Sequence, residues 1–512
     1  MRLTAQEKRL HARLLRLFAT IQMLIITGTY WGDEGKGKIV DLLSCLYDLA
    51  VRYSGGAGAG HTLQTPDGRR FVGHLIPCAI AQGIRCILGR GVFFDIRRFL
   101  AEIKDAKGAL GKNLPPIWVD KYSPVWTPWH RLFEQWLEYS AGSGKVGTTG
   151  KAIGPLSGFN VLRVGLQVHH LFQDPKVLRN RLRRLYRALK PDFDQMVKLG
   201  IVRRKDIPLP THVELALLKD AKKIRNMVTD TAFELSGAYT AGLHILFEGA
   251  QAPGLDIDLG TWPYVSAGHS VAAGAPIGTG LPLSAFAKAM VLMVMKALPT
   301  RVGAGPFPSE IWGRIQSEVF ALEHPDLFKD TLARARFLAE KLALINSGKA
   351  RLEDWSQYFQ VLGYEKGATT GRGRSVGFPD LMWLHYAIRI NGPKYFALTR
   401  LDMLSGLKII PVVVGYKLDG KRLKRGEMPD TDDLARVEVI YEYWEGWRRD
   451  ISGITEWKKL PLKTRQFVKK LEQRLGIPIV LIGTGPGRNH IIVRSVRKAS
   501  NVTSVRRSSA AA

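Results

Sequence analysis

The chain has 512 residues, 46% of them hydrophobic. That suits one large α/β domain or two to three ordinary ones and excludes disorder by composition. Its three cysteines, Cys45, Cys78 and Cys86, have no CxxC spacing, which points to a reducing compartment, here cytoplasmic, without structural disulfides or a zinc site. The net charge of +30 raises nucleic-acid binding as a class. The basic residues are dispersed, however, so a general basic bias with attraction for phosphorylated substrates is the preferred reading.

Residues 1–22 are basic up to Arg16 and apolar from Leu17, in the manner of a signal peptide. The apolar part runs straight into a strand and a glycine loop, so a basic amphipathic extension is expected instead. No run of about 18 apolar residues occurs, and no membrane span is expected. Met23–Thr27 is a short continuous apolar run, as in a buried parallel strand. A glycine-rich turn follows, then Lys38–Ser44 reads as a helix. The pattern of an apolar strand emptying into polar loop residues recurs. Leu49–Tyr53 leads into a second glycine loop, His244–Phe247 into Glu248–Gln251, Tyr395–Thr399 into Arg400–Asp402, and Ile477–Ile482 into Gly483–Gly485. Sites in open α/β sheets lie at such carboxyl ends. Asp174-Pro175 marks a helix start. Leu178, Leu182, Leu185 and Leu189 then share one face of a helix rich in arginine. Residues 312–365 read as a helical insertion, and 494–512 as a basic, disordered tail.

Gly32-Asp-Glu-Gly-Lys-Gly-Lys38 carries the glycine–lysine chemistry of a phosphate loop in a tighter spacing than GxxxxGK. Glycines let backbone N–H groups converge on phosphate, and the following helix N-terminus adds positive potential. Ile39 stands where a metal-binding Ser or Thr is usual. Asp33, inside the loop, is the available hard oxygen ligand for Mg²⁺.

The longer string Trp31 to Lys38 resembles the first loop of the adenylosuccinate synthetase family, and the resemblance continues in order. Val51-Arg-Tyr53 with Gly55 to Thr62, His74-Leu-Ile-Pro77, Gly147-Thr-Thr-Gly150 and Phe247-Glu-Gly-Ala-Gln251 follow. Then come Asp256-Ile-Asp258, Thr300-Arg-Val-Gly303, Gly367-Ala-Thr-Thr-Gly-Arg372, Leu398-Thr-Arg-Leu-Asp402 and Gly483-Thr-Gly-Pro486. It spans 23–493 and implies a single large domain around a mostly parallel β-sheet, with GTP on a P-loop-like first loop. The implied reaction joins L-aspartate to carbon 6 of IMP through 6-phosphoryl-IMP, with GTP cleaved to GDP and phosphate.

By that resemblance Asp33, His61 and Gln251 are catalytic. IMP contacts Asp33, Lys36, Gly58, His61, Thr149, Arg163, Gln251, Ser266 and Arg372, and aspartate contacts Thr369, Thr370 and Arg372. GTP contacts Gly32, Glu34, Gly35, Lys36, Gly37, Lys38, Gly60, Thr62, Arg374, Arg400, Asp402, Gly483, Thr484 and Gly485. Mg²⁺ takes Asp33 and Gly60. Asp402 accepts the two guanine-edge N–H groups, and Arg163 reaches the neighbouring subunit's IMP, so a homodimer is implied. Residues 1–22 match nothing in the family, and activity is expected to survive their removal.

Several positions depart from the family pattern. Gly58 stands where Asn is common, Lys151 and Arg400 replace the usual Arg and Lys, Ser266 replaces Thr, and Gly373 and Ser375 replace Pro and Arg. Two alternatives are kept beside the main reading. One is a related synthetase acting on dGMP, a group in which the residue at Asp33 is replaced. The other is a nucleic-acid-binding protein on a retired enzyme scaffold, for which loss of Asp33 or His61 would have argued. Both residues are present.

Overall fold

The computed structural model describes residues 5–64, 70–366 and 373–495. Ten strands form its main sheet. In chain order they are β1 Met23–Gly28, β2 Leu49–Arg52, β3 Arg85–Leu88, β4 Ile117–Asp120, β5 Val228–Thr229, β6 Ile245–Glu248, β7 Met290–Lys296, β8 Tyr395–Thr399, β9 Ile479–Gly483 and β10 Ile491–Val493. The order across the sheet is β10-β9-β8-β7-β1-β6-β2-β3-β4-β5. Each neighbouring pair is parallel except β9 with β10. β1 lies at the centre, with Ile25 opposite both Phe247 and Val291.

The central strands are mostly apolar, with charged residues only at their ends, because both faces are covered. Leu24 and Ile26 enter one core, and Met23 and Ile25 enter another on the opposite face. Leu292 and Val294 of β7 alternate in the same way with Met293 and Met295. A separate antiparallel sheet, Ile409–Leu418 with Lys421–Arg422 and Glu438–Glu445, packs against the second core.

Nine helices position the site or test the sequence reading: α1 Ala5–Phe18, α2 Lys36–Ser44, α3 Ile96–Leu110, α4 Ile153–Val161, α5 Pro175–Lys198, α6 Arg314–Glu323, α7 Thr331–Asn346, α8 Leu352–Gly363 and α9 Leu381–Asn391. The segment expected as a basic extension forms α1, and it is anchored: Leu14 and Phe18 are buried in the same core as Leu42, Leu43, Val480 and Ile491. α5 starts as expected, with the Asp174 carboxylate accepting from Lys176 N. Its leucines are buried, while Arg183, Arg184 and Arg187 face outward. The expected insertion is the trio α6, α7 and α8 around a small core of Phe320, Leu327 and Val361. Among the described residues no helix is long and apolar enough to cross a membrane.

Candidate functional site

The glycine loop leaves the carboxyl end of β1 and enters α2 two residues earlier than expected, at Lys36. Gly35 makes this abrupt entry possible: its φ of 87° is the left-handed conformation that glycine adopts without steric cost. The loop is cross-braced by one acid. Glu34 Oε1 accepts from Tyr30 N at 3.0 Å and Gly32 N at 2.9 Å, and Oε2 pairs with Lys36 Nζ at 2.7 Å. Both Glu34 and Lys36 are buried. The Glu34 carboxylate therefore shapes the loop rather than facing outward. Thr399 at the end of β8 donates to the Glu34 carbonyl at 2.6 Å. Trp31 stacks on Trp383 of α9, with centroids 4.1 Å apart. The Trp383 indole N–H donates to Thr29 O at 2.9 Å.

Asp33 has a φ of 59°, which is uncommon for a residue with a side chain, and its Oδ2 faces Arg374 Nε at 3.1 Å. Lys38 reaches the last loop, its Nζ donating to Gly485 O at 2.7 Å and His490 O at 2.9 Å. Burial lowers the Lys38 pKa to about 8, although Asp402 opposes the fall. Asp402 lies just beyond β8. Burial raises its pKa, against the pull of Arg400 and Lys38, and its Oδ1 is a buried acceptor with no hydrogen-bond partner. Such orphaned acceptors are uncommon and await a donor. Thr484 closes this side by donating to Ile454 O at 2.8 Å, while Gly453 N donates to Thr484 O at 2.8 Å.

On the other flank His61 lies in a buried polar cluster. Its Nδ1 meets Glu248 Oε1 at 2.5 Å and its Nε2 meets Ala250 O at 2.9 Å. Arg52 donates to Glu248 at 2.6 Å and to His74 O at 3.1 Å. Each ring nitrogen faces an oxygen, and Nδ1 also faces Arg52 Nη1 at 3.0 Å. Burial, then Arg52, lowers the His61 pKa. Burial would raise Glu248, but Arg52 and His61 hold it down at about 2. Glu102 of α3 fixes the neighbouring segment by accepting from the backbone N–H groups of His74, Leu75 and Ile76.

Gln251 and Ser266 are brought together, with Gln251 Nε2 donating to Ser266 Oγ at 3.1 Å. A Cβ at Gly58 would lie 2.9 Å from Thr149 Oγ1 and 3.8 Å from Lys151 Cβ, so this loop is packed against the Thr149 segment. Ser157 of α4 donates to Ala267 O at 3.4 Å, linking the helix after Thr149 to the Ser266 loop. Arg163, just past α4, has a φ of 62° and is exposed. Its neighbours Val161 and Leu162 are 73% and 63% exposed. Thr369, Thr370 and Arg372 lie outside the described residues, as does the side chain of Thr62.

The residues that sequence reasoning missed are mostly buried partners of those it found. Glu248 and Glu102 hold the His61 side, and Glu365 holds Arg374 and Arg400. Glu248 stands at the end of a predicted strand, which was a usable signal. Glu365 had none.

A parallel sheet with a glycine–lysine loop at its carboxyl edge, and across from it a half-buried carboxylate with one unpartnered oxygen, is the arrangement of a nucleotide-dependent α/β enzyme. Comparison with known proteins narrows the class. The family model for adenylosuccinate synthetase matches residues 25–492. The adenylosuccinate synthetases of Mycobacterium bovis BCG and Mycobacterium leprae are 35% and 36% identical over 473 residues, covering 92% of this chain and 98% of each relative. A fully ligated adenylosuccinate synthetase from Plasmodium falciparum superposes with a TM-score of 0.75 at 28% identity, covering 93% of this chain and 100% of that one. The succinoaminodeoxyadenylate synthetase of cyanophage S-2L, bound to dGMP and dATP, has a TM-score of 0.51 at 16% identity, covering 92% and 94%. It shares the fold alone. The chain belongs to the adenylosuccinate synthetase family, the GTP-dependent carbon–nitrogen ligases that join aspartate to IMP in purine nucleotide synthesis.

Proposed function

We propose that this chain forms adenylosuccinate, GDP and phosphate from IMP, GTP and L-aspartate, that 23–493 is its catalytic unit, and that it works in the cytoplasm. The observation that carries this reading is the pairing of two acids across one loop system. Asp33 stands beside Arg374, and the orphaned Asp402 oxygen lies where Lys38 ties the first loop to the last.

In this mechanism Asp33 takes the proton from N1 of the hypoxanthine ring. Oxygen 6 then attacks the γ-phosphate, the bond to GDP breaks, and 6-phosphoryl-IMP forms. The aspartate amino group next displaces phosphate from carbon 6. A carboxylate is a weak base, so the step depends on cations held where charge develops. In this reading Arg374, beside Asp33, and Lys36 supply them. His61 stabilises charge at the transferring phosphoryl group, and the Glu248 contact at Nδ1 orients its ring. Gln251 holds the purine near oxygen 6, and Thr149 and Ser266 hold the IMP phosphate. Asp402 reads guanine. The Asp33 carboxylate and the Gly60 carbonyl are hard oxygen donors that suit Mg²⁺, which when bound neutralises phosphate charge. Thr369, Thr370 and Arg372 complete the proposal as the aspartate loop, arginine being the fork that binds both carboxylate oxygens.

The active unit is a homodimer in which Arg163 completes the partner's IMP site. The exposed Val161 and Leu162 beside it support this, since adjacent exposed aliphatics mark an association surface. A coupled assay with IMP, GTP, Mg²⁺ and aspartate, each omitted in turn, tests the reaction. A dGMP arm in place of IMP tests the substrate. Activity with dGMP alone, or none with the full set, overturns the reading.

A further inference from the structure

Outside the residues assigned above, the densest cluster of charge centres on Glu365. This carboxylate is fully buried. Its Oε1 accepts from Lys296 Nζ at 2.8 Å and Arg400 Nη1 at 2.9 Å, and its Oε2 accepts from Arg374 Nη1 at 3.0 Å. One acid thus serves three cations from three elements. Lys296 is the last residue of β7 and also donates to Thr300 Oγ1 at 3.0 Å. Arg400 lies two residues before Asp402, and Arg374 reaches Asp33. A Cβ at Gly363 would fall 2.7 Å from Glu365 Oε1, so α8 ends beside this carboxylate only because that residue is glycine.

The backbone is tied as firmly. Glu365 N donates to Gln360 O at 2.9 Å, and Arg374 N donates to Glu365 O at 2.9 Å. Lys366 and Gly373 form an antiparallel bridge, and Gln360 Nε2 donates to Arg374 O at 2.9 Å. These contacts close the neck of the segment 367–372, to which the aspartate contacts were assigned. We propose that Glu365 is a positioning residue that locks the guanine side of the nucleotide site to the neck of the aspartate loop, so that the two substrates bind to one preset frame.

The physical case rests on charge. Arg374 and Arg400 repel one another, and the buried Glu365 carboxylate, bonded to both, holds them close, while Asp33 also faces Arg374. Burial would raise Glu365, but Lys296, Arg400 and Arg374 hold its pKa at about 2, so it stays ionised. Glu365→Gln keeps the shape and removes the charge, so the two arginines separate. Guanine-nucleotide and aspartate binding then weaken together, while the proposed IMP contacts at Gln251 and Ser266, which bond to one another and to none of these cations, are kept.

This inference rests on the proposed reaction for its aspartate arm, but its nucleotide arm needs no turnover. GDP affinity with Mg²⁺ present is measured by calorimetry, and KM for aspartate and IMP by the coupled assay, for wild type, Glu365→Gln, Glu365→Asp and the double variant Glu365→Gln/Lys296→Met. The expected result for Glu365→Gln is a rise of at least tenfold in both the GDP Kd and the aspartate KM, with a smaller rise in the IMP KM. Glu365→Asp recovers part of each, because the charge returns on a shorter arm. The double variant removes one surplus cation, so thermal stability recovers while the GDP Kd stays raised. If Glu365→Gln fails to fold, the double variant and Glu365→Asp are judged by the same two constants. GDP Kd and aspartate KM within threefold of wild type in folded variants, with only stability or kcat lowered, would assign Glu365 a purely structural role and overturn the proposal. A wild-type chain that binds GDP but makes no adenylosuccinate defeats the reaction, and the GDP arm still decides Glu365.

Discussion

Single side chains divide into those that act and those that hold them. Asp33 is expected to be the base, so Asp33→Ala should lower kcat by more than tenfold, about 1.4 kcal/mol of barrier or more, while the circular dichroism spectrum stays that of the wild type. A variant retaining over a tenth of wild-type kcat removes Asp33 from that role. Asp402 makes a sharper test because its buried Oδ1 accepts from no protein donor. A carboxylate accepts from both guanine N–H groups, whereas the amide of Asp402→Asn accepts through one oxygen and turns its own N–H₂ toward the base. Losing a charge-assisted bond costs about 1.5–3 kcal/mol, so the preference for GTP over ATP should fall roughly tenfold or more. An unchanged GTP-to-ATP ratio of kcat/KM would show that Asp402 does not read guanine. The residues proposed to act at Asp33, His61, Gln251 and Asp402 were readable as candidates because each sits in a glycine-rich or strand-end string, whereas Arg163 rested on the family resemblance alone. The holding residues were not readable. Glu365 meets Lys296, which is 69 positions away, and no local pattern encodes a partner at that distance.

Secondary-structure elements were read well where chemistry is local. The strand from Met23 is continuous apolar sequence because both its faces are covered, and α5 begins at Asp174-Pro175 because an acid cap and a fixed φ suit a helix start. The N-terminal segment was read only in part. Its amphipathic pattern was visible, but its destination was not. Leu14 and Phe18 enter the core beside Leu42 and Leu43 of α2, the helix that carries the phosphate loop. Burying two such side chains contributes about 1.5–3 kcal/mol each. Deleting residues 1–22 should therefore lower the melting temperature clearly, while kcat measured well below that temperature stays within a few-fold, because no assigned contact lies there. A truncated protein that melts like the full chain would show that α1 adds no stability. One that is folded but inactive would give α1 a role in the site.

At the scale of the whole molecule, the Arg163 assignment requires a second copy. Arg163 is exposed between aliphatic neighbours and the mouth of α4, and an arginine supplied across an interface acts only after association. Activity per chain should fall on dilution. Mixing inactive Arg163→Leu with inactive Asp33→Ala should restore activity, since one site of each mixed dimer keeps both residues. Tagged chains must first be shown to exchange. Exchange without recovery would place Arg163 outside the partner's site.

The order of strands also governs how the polypeptide is made. β1 is among the first elements to be synthesised, yet its two neighbours are β6 and β7, beginning at Ile245 and Met290. At roughly 5–20 residues per second, a growing chain holds β1 without either edge paired for on the order of tens of seconds. The guanine pocket waits longer still, because Lys38 completes it against Gly485 and His490. The first loop thus leaves the ribosome long before the last loop to which Lys38 is bonded. Its apolar strand is exposed to chaperones throughout that interval.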